Sequence, residues 1–269
     1  MEPYRIVAFD LETMQHQPVS PREPEKREHQ PNFIAAKVFC PECIDNSRWR
    51  NGTAGCKVCG PHRTVAFCQR RFVNTTVDKQ VVADNPLEAF VGWLINALPK
   101  KFDTYAFSHF GGRFDMVLVF RELFKIGFNP EMIRQGNKMF EMKVKKQKNR
   151  NPNIVFHDSF NLMPCALAQL VPSYGLEVED KPFFPHLANR PENYGRHIYP
   201  TVDDYLANGM MPEKRRQFDL WYERISMSHF NWMRHWLPIA PMTWKSYRLL
   251  SSPSAANSLK SRSGMTTLM

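Results

Sequence analysis

The segment YRIVAFDLET, residues 4–13, joins an apolar run to two acidic residues. Tyr4 to Phe9 is rich in β-branched and aromatic residues and contains neither Gly nor Pro, which predicts a buried strand. Asp10 and Glu12 follow directly. Because side chains alternate along a strand with a period of two, both carboxylates are expected on the same face. Two acids placed in this way repel each other unless a cation lies between them.

Composition restricts the classes of protein to which the chain can belong. With 269 residues, of which 43% are hydrophobic, it can bury one substantial core or two small ones. No apolar run approaches the roughly 18 residues that a membrane-spanning helix needs, so no membrane association is expected. The first strand begins almost at Met1, which argues against a cleaved presequence. The net charge of +10 and a pI near 9.4 suggest a polyanionic partner, with nucleic acid the first candidate.

Four of the six cysteines form two C-x-x-C pairs, Cys40 with Cys43 and Cys56 with Cys59. Paired knuckles at this separation are typical of a tetrahedral zinc site. Disulfides are the alternative, but the chain lacks secretory features and a reducing compartment would keep these thiols free. His62 offers an alternative fourth ligand. Four cysteine ligands leave no open position on the metal, so a structural Zn²⁺ is expected.

The other two cysteines, Cys68 and Cys165, lie in apolar surroundings and are expected in the core. The cysteine usage also predicts a location. The protein is expected to be intracellular, in a reducing compartment, with the nucleus or cytoplasm favoured over the mitochondrion.

A third acid, Asp115, follows two glycines in SHFGGRFDMVLVF, residues 108–120. Residues 105–109 are predicted to form a short strand, Gly111 and Gly112 a turn, and the residues from Phe114 onward a helix. A carboxylate at a helix start complements the helix dipole, which is an alternative role for Asp115. The double glycine lets the backbone approach a ligand or another strand closely.

A hairpin with a basic loop is predicted in KMFEMKVKKQKNRNPNIVFHDSF, residues 138–160. The loop comprises residues 143–150, and the second strand runs from residue 153 to 156 and ends beside Asp158. Lys145 and Lys146 near its tip are candidate phosphate ligands, because such contacts dominate the affinity for nucleic acid. A solvated loop is the alternative.

Four acids therefore fall at predicted strand ends or at a helix start: Asp10, Glu12, Asp115 and Asp158. Functional sites of α/β domains assemble at such positions.

Four motifs, FDLET, SHFGGRFDMVLVFRELF, VFHDSFNLMPCALAQLVPSYGLE and FFPHLANRPENYG, occur in this order between residues 9 and 195. In order and spacing they resemble the N-terminal 3′-to-5′ exonuclease domain of protein-primed family B DNA polymerases, the enzymes of mitochondrial linear plasmids, some viruses and large self-synthesising transposons. The resemblance covers residues 4 to about 225. It implies an α/β, RNase H-like exonuclease domain with a mixed sheet flanked by helices, in which the zinc hairpin is an insertion after the second strand.

The resemblance also implies a chemistry. It assigns the first exonuclease motif to Asp10 and Glu12 and the second to Asp115. Two Mg²⁺ or Mn²⁺ ions about 4 Å apart then activate a water and stabilise the leaving 3′ oxygen of single-stranded DNA or a primer terminus. Such hard cations need carboxylate ligands. Phe110, where the family usually has Asn, can stack on a base, and Arg113 is a further candidate contact to nucleic acid.

The third exonuclease motif, Tyr-x-x-x-Asp on a late helix, is missing. Residues 199–203 match its spacing but contain Pro200, and Asp203 and Asp204 are equally suited to capping a helix. No counterpart of the polymerase palm's acidic signatures occurs. The predicted function is therefore a polymerase fragment comprising the proofreading exonuclease domain, with impaired activity. The alternative is a non-catalytic nucleic-acid-binding or interaction module derived from that domain.

The predicted organisation is one domain, residues 4–237, with the zinc-knuckle insertion at 38–66. A helix is predicted over 212–237, and its aromatic stripe is expected in the core. The Pro-rich residues 176–212 are expected to pack on the surface of the domain. The basic, Ser-rich tail, 238–269, is expected to be disordered. Protein partners are unknown at this stage.

Overall fold

The computed structural model describes residues 3–45, 55–71, 77–145, 153–166, 169, 183–194 and 198–232. Within these residues ten strands are present: β1 (Tyr4–Met14), β2 (Pro18–Ser20), β3 (Glu23–Arg27), β4 (Gln30–Phe39), β5 (Thr64–Cys68), β6 (Lys79–Val82), β7 (Asp103–Ser108), β8 (Glu131–Gln135), β9 (Lys138–Val144) and β10 (Ile154–Asp158). The α-helices of the same residues are α1 (Pro41–Asp45), α2 (Pro86–Gly92), α3 (Asp115–Lys125) and α4 (Pro212–Ile225). None of these helices has the length and apolar character that crossing a bilayer requires.

Eight strands form one mixed sheet in the order β6-β5-β4-β1-β7-β10-β9-β8, and β2 and β3 form a separate hairpin. β1 pairs antiparallel with β4 and parallel with β7. β5 is antiparallel to β4, and β10 is parallel to β7. The five central strands thus have the order and directions of the RNase H-like arrangement. The predicted fold class, a mixed α/β sheet, is confirmed.

β1 is longer than the sequence pattern predicts. It continues through Met14, so that Asp10 and Glu12 lie inside the strand, paired with Ala35 and Phe33 of β4. The apolar run corresponds to the part of β1 that is buried on both faces of the sheet. Backbone pairing with β4 extends the strand beyond that run, up to a register shift after Glu12.

The two faces of the sheet are covered by different parts of the chain. Val7 and Phe9 of β1 pack in one cluster with α2, α3 and the zinc hairpin. Ile6 and Ala8 belong to a second cluster, which residues 183–188 and 230–232 cover. Burial on both faces explains why the strand is almost continuously apolar.

α3 ends by a mechanism that its sequence encodes. Gly127 has a φ of 88°, a left-handed conformation that glycine adopts without steric cost. The amide of Phe128 donates to the carbonyl oxygen of Leu123 at 2.9 Å, the long-range bond of a Schellman cap.

α4 is shorter than the helix predicted over 212–237. The predicted C-terminal end was wrong. The helix stops at Ile225, and the chain then leaves the helix so that Phe230 and Trp232 pack on the second face of the sheet. Phe218 is fully buried in a small cluster with Tyr205, as expected for a core aromatic stripe. Tertiary packing therefore overrides the helical periodicity after Ile225.

Several predictions fall on residues outside the described ones. These are the tail at 238–269 and most of the basic hairpin loop. Lys143, predicted in the loop, is the penultimate residue of β9. The division into domains stays a prediction.

Arg5 of β1 is fully buried and connects three parts of the fold. Its Nε donates to Thr104 Oγ1 of β7 at 2.8 Å, and its Nη1 donates to the carbonyl oxygen of Val58 at 2.7 Å, between the two cysteines of the second knuckle. Burial lowers the pKa of Arg5 to about 10, an effect that the charges of Cys59 and Asp103 oppose. Arg5 thus stays charged at neutral pH and attaches the second cysteine knuckle to the centre of the sheet.

We predict that Arg5→Met destabilises the protein by about 2–4 kcal/mol, because Thr104 Oγ1 and Val58 O lose a buried donor. The free energy of unfolding in urea measures the change. Arg134→Met, on the exposed β8, is the matched control and should change it by less than about 0.5 kcal/mol. Equal stability of both variants would show that the Arg5 contacts do not hold the fold together.

Candidate active site and metal centre

One edge of the sheet collects the predicted acidic residues. β1, β7 and β10 are parallel to one another, so their carboxyl ends lie at the same edge. Asp10 lies toward this end of β1, and Asp158 is the last residue of β10. After β7 the chain turns through a short 3₁₀ segment, Gly111–Arg113, into α3, whose first residue is Asp115.

The double glycine is required by close contacts at this edge. A Cβ atom on Gly111 would lie 1.7 Å from Ser108 Oγ. A Cβ atom on Gly112 would lie 2.1 Å from the carbonyl oxygen of Met139 and 3.0 Å from Asp158 Oδ2. Any larger residue would push the segment away from β9 and β10. The expectation that these glycines allow close backbone approach is confirmed.

Asp115 is buried, with 5% of its surface exposed. Its Oδ1 accepts a hydrogen bond of 3.2 Å from the backbone amide of Leu11, which lies between Asp10 and Glu12. Burial raises the pKa of Asp115 well above its usual value, and the negative charges of Asp10 and Asp158 raise it further. Three carboxyl groups from three elements therefore repel one another here, as a cation site requires.

Glu12 lies on the same side of β1 as Asp10, two residues further along, and both side chains are half-buried. The register of β1 against β4 shifts directly after Glu12, and pairing then continues through Thr13 and Met14. In the part of the chain that the structure describes, only the four cysteines bring three or more metal-ligating atoms within 4.8 Å of one another. A cation shared by Asp10, Glu12 and Asp115 would thus require their side chains to move closer.

Asp158 is oriented by its neighbours. With 1% of its surface exposed, it accepts a 3.0 Å hydrogen bond from the Phe160 amide through Oδ1. Its Oδ2 lies 3.9 Å from the ammonium nitrogen of Lys138.

Aromatic rings border the acids. Phe110 and Phe160 stack with their centroids 4.3 Å apart, and Phe110 is 48% exposed. Phe110 has a φ of 59°, a left-handed conformation that costs a non-glycine residue about 1–2 kcal/mol. Arg113, in the next turn, is exposed. Stacking holds an otherwise unfavourable backbone and leaves one aromatic ring open to a ligand.

Two residues at this edge, Lys138 and Phe160, were missed by sequence reasoning. Phe160 follows Asp158 by two residues, a spacing that could have pointed to it. Lys138 lies far from the acids in sequence, and only the pairing of β9 with β10 brings it near them.

The residues considered for a third motif are engaged elsewhere. Tyr199 packs edge-to-face against Phe230, with centroids 5.1 Å apart. Asp204 accepts from the backbone and hydroxyl of Thr201 in a capping box, and Asp203 Oδ1 accepts from Asn208 at 3.2 Å. The capping role that the sequence allowed for these two acids is confirmed for Asp204 alone.

The basic hairpin residues are only partly described. Lys145 is exposed and forms an ion pair with Glu131 of β8. Lys146 lies outside the described residues.

The cysteine cluster lies between β4 and β5, at the end of the sheet near Arg5. The sulfur distances are 3.3 Å for Cys40–Cys43, 3.8 Å for Cys40–Cys56 and 3.7 Å for Cys43–Cys59. A regular tetrahedron with Zn–S bonds of about 2.3 Å has S–S edges of about 3.8 Å. The second knuckle is closed by reciprocal backbone hydrogen bonds between Cys56 and Gly60. The four cysteines therefore fit a zinc ion in geometry.

Charge around the cysteines fits a cation as well. Hydrogen bonds from Cys40 and Cys59 lower the pKa of Cys43, the bond with Cys43 raises the pKa of Cys40, and the bonds with Cys40 and then Cys43 raise the pKa of Cys59. Thiolates this close together repel one another, and a bound cation relieves that repulsion. Arg63, which is buried, donates to Cys43 Sγ at 2.7 Å and offsets part of the negative charge.

His62, Cys68 and Cys165 lie outside the cysteine cluster. His62 is not part of the converging group, which contains the four cysteines alone. Cys68 is buried, as predicted, whereas Cys165 is half-buried at the border of the second cluster.

Comparison with known proteins gives a family match. Residues 95–222 match the family model of DNA polymerase type B, organellar and viral. The resemblance drawn from the motifs is thereby confirmed at this level, and this region is family B DNA polymerase-like. A comparison with curated protein sequences gives no match.

Solved structures of phi29 DNA polymerase are similar to this chain. The complex with single-stranded DNA is 13% identical, with a TM-score of 0.44, over 83% of this chain and 33% of that one. The ternary complex with primer-template DNA and incoming nucleotide is also 13% identical, with a TM-score of 0.43, over 84% and 33%. This chain spans about a third of the length of those polymerases.

We predict that the purified protein contains about one zinc ion per chain and that Cys43→Ser loses it. Chelation should lower the unfolding temperature of the wild type, because metal binding and local folding are coupled. Metal analysis and thermal unfolding measure both effects. Cys165→Ser, outside the cluster, should keep the zinc. Zinc-free protein with oxidised Cys40 to Cys59 would contradict the prediction.

We predict that Asp115→Asn stabilises the protein in EDTA at pH 8. The raised pKa of Asp115 in the folded state means that ionisation disfavours folding. The free energy of unfolding should therefore fall as pH rises from the ordinary carboxyl range toward that raised pKa, and the variant should lack this fall. Asn retains an acceptor for the Leu11 amide.

In Mg²⁺ the wild type should become more stable than Asp115→Asn, because a ligand that binds the folded state stabilises it. Urea unfolding at pH 5 and pH 8, with EDTA or Mg²⁺, measures this. Asp219→Asn, on the exposed face of α4, should behave as the wild type. Destabilisation of Asp115→Asn in EDTA would show that no unfavourable charge is buried there.

Proposed function

We propose that this chain, whose residues 95–222 are family B DNA polymerase-like, comprises the 3′-to-5′ exonuclease domain of a protein-primed DNA polymerase that acts in DNA replication. The observation that carries the proposal is the placement of three acids at one edge of the sheet: Asp10 and Asp158 lie toward the carboxyl ends of the parallel strands β1 and β10, and Asp115 begins the helix that follows β7. The three charges interact, and the chain order of these acids is that of the motifs.

Asp10, Glu12 and Asp115 would hold Mg²⁺ or Mn²⁺. When bound, the metal supplies an activated water and stabilises the leaving 3′ oxygen. Three carboxylates suffice for one Mg²⁺, which keeps several waters and often uses one or two protein carboxylates. The hydrogen bond from the Leu11 amide holds the carboxylate of Asp115 next to the backbone of β1, between Asp10 and Glu12.

The substrate we propose is single-stranded DNA or a primer terminus. The exposed ring of Phe110, supported by Phe160, offers a stacking surface to a base, and base–aromatic stacking is worth about 1–3 kcal/mol. Arg113 is exposed beside it, and Lys145 and Lys146 are further candidates for phosphate contacts. The net charge of +10 favours a polyanion of this kind.

The cysteine cluster is proposed to bind one structural Zn²⁺, because four sulfur ligands leave no position for substrate. For the protein as a whole we propose an intracellular, reducing location, because cysteines stay reduced there and remain available to a metal. We propose the nucleus or cytoplasm in preference to the mitochondrion.

A second function has specific support. Tyr199 and Asp203, which match the spacing of the third motif, make contacts in packing and in a turn. A module that binds nucleic acid without cutting it would need the fold, the zinc and the stacked rings of Phe110 and Phe160. It would not need Tyr199 and Asp203 beside the acids of β1 and α3.

We predict weak 3′-to-5′ degradation of a labelled single-stranded oligonucleotide in Mg²⁺, about 10² to 10³ below that of a site with a complete set of ligands. Manganese, which takes the same oxygen ligands, should increase the rate. The double variant Asp10→Asn, Glu12→Gln should abolish degradation and keep the binding.

Product ladders on gels measure the rate, and fluorescence anisotropy measures the affinity. Equal, negligible degradation by both proteins, together with salt-sensitive binding, would favour the non-catalytic module. Absence of binding by the folded wild type would contradict both functions.

A further inference from the structure

Lys138 lies at the edge of the acids because of a tight turn. β8 and β9 are joined by Gly136 and Asn137, and Gln135 pairs with Lys138 across the turn. The carbonyl oxygen of the next residue, Met139, is the atom that a side chain at Gly112 would meet. The start of β9 is therefore packed directly against the glycine segment that leads to Asp115.

The ammonium group of Lys138 is held by a defined set of contacts. It donates to Asn161 Oδ1 at 2.6 Å and lies 3.9 Å from Asp158 Oδ2. It also lies 5.0 Å from the ring centroids of Phe140 and Phe160, within the range of cation–π attraction. The side chain is 20% exposed. A long side chain fixed in this way has already lost the rotamer freedom that a binding contact would otherwise cost.

The position of this charge relative to the aromatic stack suggests a role. Phe160 is shared: one ring stacks with the exposed Phe110 and also lies near the Lys138 ammonium. A nucleotide whose base stacked on Phe110 would bind at the same aromatic stack that Lys138 contacts through Phe160. Without a positive charge near Asp158, the carboxylates of Asp158 and Asp115 would repel a phosphate bound there.

We propose that Lys138 is a phosphate-binding residue of the candidate site, which positions the nucleotide stacked on Phe110 and offsets the negative charge of Asp158. The inference rests on the proposed function, because it takes single-stranded DNA as the ligand. An ammonium has three donors, and one is used by Asn161. Asn161 aims the group, so both residues contribute to binding although only Lys138 is charged.

The test is the salt dependence of binding to an oligothymidylate in EDTA, measured by fluorescence anisotropy. Lys138→Gln should weaken binding about fivefold near 0.1 M salt and reduce the slope of log K against log salt by about 0.7, the value for one phosphate contact on a single strand. Lys138→Arg should restore the slope. Asn161→Ala, which keeps the charge and loses its support, should weaken binding with a smaller change in slope.

Lys79→Gln is the matched control, because Lys79 is an exposed lysine on β6, at the opposite edge of the sheet. It should bind as the wild type does. Thermal unfolding of every variant shows whether it is folded. If the wild type binds and Lys138→Gln, while folded, has an unchanged slope, Lys138 forms only a structural ion pair and the inference fails. If the wild type itself does not bind, the proposed function fails first.

Discussion

The guanidinium of Arg5 is the interaction on which the arrangement of the sheet depends. It joins β1 to β7 through Thr104 and joins both to the second cysteine knuckle through Val58. Without it, the junction of parallel and antiparallel strands would hold a buried hydroxyl and a buried carbonyl with fewer donors. The strand that Arg5 fixes at one end carries Asp10 and Glu12 toward the other. Arg5 and Asp10 are about 17 Å apart along the strand at 3.3 Å per residue, so the cysteine cluster and the acids lie at different ends of β1.

Arg5 stabilises the fold, whereas the buried charge of Asp115 destabilises it. Burial and the charges of Asp10 and Asp158 make ionised Asp115 unfavourable in the folded protein, although its carboxylate also accepts a hydrogen bond from the Leu11 amide. A fold selected for stability alone would carry a neutral residue there. The cost of this charge is the kind of local instability that functional sites retain, and the buried core around β1 is large enough to tolerate it.

Much of this could be predicted from the sequence, because local rules decide it. Alternation along β1, the double glycine and the C-x-x-C pairs each follow from short-range spacing. The end of α4 at Ile225 could not be predicted, since Phe230 and Trp232 leave the helix for a distant face of the sheet. The approach of β9 to Gly112 could not be predicted either, because it joins residues that no periodicity connects. For the same reason, the spacing of Tyr199 and Asp203 was a poor guide to where their side chains make contacts.

The close contacts at Gly111 and Gly112 have a consequence for tracing the history of such proteins. A side chain at either position would collide with Ser108 or with the backbone of β9, whether or not a metal or DNA ever binds. Selection on folding alone would therefore preserve both glycines in a descendant that had stopped cutting DNA. A relative that retains the glycine pair but has exchanged its acids is best regarded as an intact scaffold, and its glycines should not be counted as a sign of nuclease activity.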